Sequence, residues 1–205
     1  MTKLFLASSF ADVSAELLSF EKNLRGKAVT FIPTASKVEK VKFYVESGKQ
    51  ALEEMGILID EIDISVEVLD VIEERIRKND FIYVTGGNSF FLLQELKKSG
   101  ADQIIIEEIR NGKLYIGESA GAIILSQSIQ YIEKMDSSEL GPELASCEGL
   151  DVADFYTLPH YGEAPFSKIT KTIEAEFMDT RALYPITNKQ VILVEGNEKK
   201  IVQSE

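Results

Sequence analysis

The chain has 205 residues, 44% of them hydrophobic, enough for one compact domain over residues 1–205 to bury a sizeable core. With 34 acidic against 22 basic residues the net charge is −12, which disfavours binding to nucleic acid phosphates or to an anionic membrane surface. The single cysteine, Cys147, excludes an internal disulfide and disfavours a cysteine-based zinc site, so we expect a soluble protein of a reducing cytoplasm that needs no metal and no organic cofactor.

Along the chain, apolar β-rich runs alternate with stretches of helical periodicity, the pattern of an α/β fold: a largely parallel sheet with helices on both faces. The opening run, Met1 to Ala7, is too short for the core of a signal peptide, and no stretch reaches the length of a membrane span. Strands are predicted at Lys3 to Ser9, Lys27 to Thr34, Ile57 to Ile64, Phe81 to Thr85 and Leu114 to Gly117. Between them, Glu39 to Glu54 sets Val41, Val45, Leu52 and Met55 near one helix face with Gly56 as C-cap; Gly100 and Gly112 are placed to end two later helices. Further on, strands at Asp154 to His160 and Val191 to Glu195 flank a helix from about Pro165 to Met178. A final hairpin turns at Gly196-Asn197 into Lys200 to Gln203.

Gly117-Glu118-Ser119-Ala120-Gly121 follows the apolar run Leu114-Tyr115-Ile116 and opens into the helix-like Ala122-Ile123-Ile124-Leu125, the sequence form of a nucleophile elbow. Such a turn holds its serine in a strained conformation with the hydroxyl at the tip, and the flanking glycines give the backbone room. In an open parallel sheet, ligands bind at the carboxyl edge of the strands, and three further features fall there. The strand Phe81 to Thr85 runs into Gly86-Gly87-Asn88, where Gly87 N–H together with Ala120 N–H makes a sensible pair of oxyanion donors. Asn88 is a candidate substrate-binding residue of this loop and can at the same time cap the helix Ser89 to Lys97. His160, the only histidine, ends a predicted strand and titrates near neutral pH, as a base for the weakly nucleophilic serine must. Glu195 ends another strand and is placed to orient the imidazole.

Taken together, Ile32-Pro33-Thr34-Ala35, Thr85-Gly86-Gly87-Asn88, Tyr115 through Ala122, Pro159-His160-Tyr161 and Glu195-Gly196-Asn197 make the chain resemble the serine peptidase family that contains dipeptidase E (alpha-aspartyl dipeptidase) and cyanophycinase. The resemblance spans most of the chain in order. It implies a class I glutamine amidotransferase-like (flavodoxin-like) sandwich, a short peptide as substrate, and the roles of nucleophile for Ser119, general base and then acid for His160, and third member for Glu195. Glu133 and Asp136, after the elbow, have a claim to that third place as well, but read more simply as part of a solvated loop. Two features depart from the aspartyl dipeptidases. Glu118 stands where an aromatic residue is expected, either shaping the substrate pocket or facing solvent at the helix start. The segment after His160 lacks an arginine to grip an aspartate side chain, leaving Lys168 as a substrate-binding substitute of weaker geometric selection. Two alternatives stay open at this stage: another amidase or esterase on the same scaffold, and a noncatalytic ligand-binding protein.

Overall fold

A computed structural model describes residues 1–204. In it the first five apolar runs become β1 (Lys3–Ala7), β2 (Ala28–Ile32), β3 (Leu58–Glu61), β4 (Phe81–Val84) and β5 (Leu114–Glu118), all mutually parallel where they pair. The helices among them are α1 (Phe10–Val13), α2 (Ala15–Phe20), α3 (Phe43–Glu54), α4 (Leu69–Lys78), α5 (Ser89–Ser99), α6 (Ala101–Arg110) and α7 (Ala120–Ile123). After α7 come β6 (Tyr156–Leu158), α8 (Ser167–Phe177), β7 (Leu183–Pro185), β8 (Gln190–Glu195) and β9 (Glu198–Gln203). Seven strands form the main sheet in the order β3-β2-β4-β5-β1-β8-β9, while β6 and β7 pair with each other in a small second sheet. The α/β class and the mostly parallel sheet expected from the alternation are thus both present.

Successive strand residues point to opposite faces, and here both faces are apolar. Leu4, Leu6, Ile82, Val84 and Tyr115 pack on one side with Ile72 and Ile76 of α4, Leu92 and Leu96 of α5, and Ile105 and Ile109 of α6. Phe5, Ala7, Phe31, Tyr83 and Ile116 pack on the other side with Phe10, Val13 and Leu17 of the first two helices and Val45 and Leu52 of α3. The continuous apolar runs are therefore the signature of strands covered twice.

Four expectations are corrected by tertiary context. Helix α3 starts at Phe43, preceded by a 3-10 turn over Thr34–Val38, so Val41 lies outside it and is 59% exposed. The helix after the elbow is a single turn, ending at Ile123. The Asp154 to His160 run yields only three strand residues, and these pair with β7, whose Leu-Tyr-Pro is too short to register as a strand in sequence. Most consequential is β8: it joins β1 in antiparallel register, Lys3 opposite Glu195 and Ala7 opposite Val191. The hairpin to β9 turns at Gly196-Asn197 as expected, with Glu195 opposite Glu198.

Candidate active site

The carboxyl ends of β1, β4 and β5 meet at one edge of the sheet, and Ser119 follows directly on β5. Its backbone has φ 48° and ψ −104°, a conformation that costs a non-glycine residue on the order of 1–3 kcal/mol. Hydrogen bonds on both sides hold it there: Ser119 N–H donates to Ala7 C=O at 2.8 Å, while Ala122 N–H and Ile123 N–H donate to Ser119 C=O at 2.9 and 3.0 Å. The turn needs both flanking glycines: a Cβ at Gly121 would lie 2.3 Å from the Val84 carbonyl oxygen, and one at Gly117 2.7 Å from the Gly121 carbonyl oxygen.

His160 reaches this serine from the second sheet. Its Nε2 lies 3.0 Å from Ser119 Oγ and its Nδ1 lies 2.7 Å from Asn188 Oδ1. With a carbonyl-type oxygen facing Nδ1, that nitrogen carries the proton and Nε2 is left to accept from the serine hydroxyl. Burial pushes the imidazole below its ordinary value, against the raising effect of the Asn188 bond and of Glu163, so it is neutral at pH 7. The backbone at His160 is also left-handed, φ 56°, and is anchored through Ser8: His160 N–H donates to Ser8 Oγ at 3.0 Å, and Ser8 Oγ–H donates to Ile186 C=O at 3.0 Å. The Phe166 ring stacks on the imidazole with centroids 5.2 Å apart.

Ahead of the serine lies the glycine loop after β4. Gly87 has φ 136°, and a Cβ there would fall 2.2 Å from the Ala35 carbonyl, so only glycine fits. Among the described residues its N–H has no acceptor. Ala120 N–H is the first amide of α7, with no preceding turn to bond to. Both amides thus lack an internal partner among the described residues; Ala120 follows Ser119 directly, and Gly87 follows Gly86, which lies against the Ser119 side chain.

The structure separates the other sequence-predicted residues from this group. Glu195 is exposed at the far edge, beside Lys3, because β8 runs antiparallel and delivers its carboxyl end away from Ser119. Asn188, just before the amino end of β8, lies at the active edge instead and meets the imidazole. Asn88 spends both ends of its amide internally, accepting from Phe91 N–H at 2.9 Å and donating to Ser137 C=O at 3.0 Å, so it is the cap of α5 and not a pocket group. Asp136 is not in a solvated loop: Ser89 N–H and Ser89 Oγ–H hold its Oδ2 at 2.9 and 2.6 Å, and burial pushes it up to about 6. Glu133 stays exposed and accepts from Ser138 Oγ–H. Neither bonds to His160. Glu118 is 3% exposed and directed inward, which corrects both the pocket-lining and the solvent-facing readings. Lys168 is exposed on α8, two residues beyond Phe166.

Asn188, Ser8, Phe166 and Tyr44, whose ring packs beside Gly86, were not singled out in sequence. An asparagine in a Thr-Asn-Lys turn before a strand was the available signal for the first of them, and it needed the strand's direction to be read. Among the described residues no three His, Cys, Asp or Glu side chains converge as a metal site, and no helix is long and apolar enough to cross a membrane.

Comparison with known proteins agrees with this architecture. Residues 4–202 match the model of peptidase family S51. An uncharacterised peptidase of Listeria monocytogenes is 56% identical over 198 residues, covering 97% of each chain, and one of Pasteurella multocida is 49% identical over 203 residues, covering 99% of this chain and 98% of its own. A crystal structure of a Listeria monocytogenes EGD-e protein provisionally named a peptidase E superposes with a TM-score of 0.97 at 54% identity over 100% of both chains. The chain belongs to peptidase family S51 and is a peptidase, which bears out the resemblance to the dipeptidase E family.

Proposed function

We propose that this S51 peptidase hydrolyses short peptides through an acyl-enzyme on Ser119. The observation that carries the reading is the 3.0 Å contact between Ser119 Oγ and His160 Nε2 at a strained elbow. Ser119 Oγ attacks the scissile carbonyl while Nε2 takes its proton, and the same nitrogen then protonates the leaving amine. Water enters, gives a proton to His160 and releases the acyl group. Gly87 and Ala120 N–H groups stabilise the oxyanion in both halves. Asn188 fixes the tautomer and orientation of the imidazole in the place that Glu195 was expected to fill. Being neutral, it orients the ring without pairing with the imidazolium charge, and a His-Asn pairing of this kind also serves papain-like peptidases.

The substrate reading is a dipeptide or similar short peptide, met in a reducing cytoplasm, with the exposed Lys168, two residues beyond the Phe166 that stacks on the imidazole, as a cation for an acidic side chain. The segment after His160 carries no arginine before Arg181, which argues against strict aspartate selection. The test is hydrolysis of dipeptides with aspartyl, glutamyl, basic and neutral N-terminal residues by the wild type and by Ser119→Ala. Cleavage that falls by about 10³-fold or more in the variant is expected. A folded wild type that cleaves none of them, or a variant that cleaves as well, would sink the reading.

A further inference from the structure

Glu118 directly precedes the nucleophile, is 3% exposed, and has no cation among the groups that act on it. Three donors converge on it instead. Phe10 N–H donates to Oε1 at 2.9 Å, the Tyr83 hydroxyl donates to Oε2 at 3.0 Å, and Gly86 N–H makes a longer contact to Oε2 at 3.5 Å. They come from the first residue of α1, from the body of β4 and from the glycine loop after β4. Burying a carboxylate costs several kcal/mol, and donors at both oxygens offset part of that cost for the ionised form. In the protonated acid one oxygen becomes a donor, which the Tyr83 hydroxyl can accept but the Phe10 and Gly86 N–H groups cannot.

We infer that ionised Glu118 is a positioning residue that holds the Gly86-Gly87 loop against the serine elbow and so sets the oxyanion hole. The inference rests on the reading of Ser119 as nucleophile and of Gly87 N–H as an oxyanion donor. With Gly86 N–H drawn inward to Glu118, the next amide, Gly87 N–H, is left without an internal acceptor. The groups that face Glu118 are Tyr83 from β4, Tyr44 from α3 and Asp12 from α1, while β1 presents Ala7. Burial is the largest influence and pushes Glu118 up to about 7, inside the range where a peptidase with a histidine base works. Activity therefore rises with pH through two proton losses, one from His160 below its ordinary value and one from Glu118.

The test measures, from pH 5 to pH 9, the rate at which a fluorophosphonate probe modifies Ser119, together with kcat and KM for the best dipeptide. In the probe reaction Ser119 Oγ bonds to phosphorus, fluoride leaves, the serine proton passes to His160, and the phosphoryl oxygen occupies the oxyanion hole. The wild type is expected to show an acid limb steeper than one proton, with its upper midpoint near 7. Glu118→Gln, confirmed folded, is expected to lose about 10²-fold in kcat with KM within about threefold, and to keep only the lower, single-proton limb. Tyr83→Phe removes one donor and leaves the carboxylate in place, so its upper midpoint is expected to rise by about 0.5–1 pH unit. A folded Glu118→Gln with the wild-type rate and limb overturns the inference. If that variant does not fold, an unmoved midpoint in Tyr83→Phe does so. Absence of Ser119 modification in the wild type at every pH overturns the proposed function and this inference with it, whereas modification without any dependence on Glu118 overturns this inference alone.

Discussion

Glu118 and Glu195 are the same residue type at the carboxyl ends of two strands that both pair with β1, yet they finish at opposite edges of the sheet. β5 runs parallel to β1, so Glu118 lies opposite Ala7, next to Ser119; β8 runs antiparallel, so Glu195 lies opposite Lys3. Four residues of β1 separate those two registers, about 13 Å at ~3.3 Å per residue. Glu118 is enclosed by three donors, whereas Glu195 is exposed in a hairpin beside Glu198. Position in a sheet, more than residue type or strand end, thus decides what a carboxylate does. The polar group that meets the imidazole is found at the amino end of β8, where Asn188 stands.

Substitutions at the active edge should hurt and those at the far edge should not. After loss of the nucleophile itself, the largest effect is expected from Gly87→Ala, whose Cβ would meet the Ala35 carbonyl at 2.2 Å. Displacing one oxyanion donor is expected to lower kcat by about 10²-fold or more. The backbone clash should also lower the melting temperature, and both are read from kinetics and a thermal melt of the same sample. Asn188→Ala comes next, with a loss of about 10- to 100-fold in kcat, part of the ~10²–10⁴-fold that general acid–base catalysis supplies. Asn188→Asp sharpens the point, because a carboxylate beside Nδ1 raises the imidazole and moves the acid limb of kcat/KM to higher pH. An unaltered rate in Asn188→Ala would remove Asn188 from the site.

A smaller effect concerns stability. Glu118 is raised from 4.5 to about 7 in the folded chain, so the folded state holds its proton more tightly than the unfolded state. Its contribution is therefore present at acid pH and lost as pH rises from about 4.5 to about 7. Asp136 acts in the same sense between 3.8 and about 6, and His160, lowered from 6.5, acts in the opposite sense. The difference in melting temperature between wild type and Glu118→Gln isolates the first of these. It should shift against the wild type by several degrees as pH rises through that window, and a difference constant with pH would contradict it. The smallest effect is expected at the far edge: Glu195→Gln should leave kcat/KM within about twofold and stability within about 0.5 kcal/mol.

What could be read from sequence follows from how far each signal reaches along the chain. The parallel strands and their helices were legible because hydrophobic periodicity is local, and the elbow because its glycines and serine lie within five residues of one another. His160 was legible as the single histidine at the end of an apolar run, although only three residues of that run form a strand. The cap at Asn88 was legible alongside a pocket role, and the bonds to Phe91 and Ser137 occupy its amide in the cap.

Sequence by itself determined the α/β class, the elbow at Ser119, the candidate base and the glycine loop, since each is written in a short stretch of backbone chemistry. Only the tertiary structure decided which way β8 runs, because that direction is set by pairing with β1 across more than 180 residues of chain. It thereby exchanged Glu195 for Asn188 beside the imidazole. It also decided that Glu118 turns inward, because the donors that hold it come from segments as much as 108 residues away and meet only when the sheet is assembled.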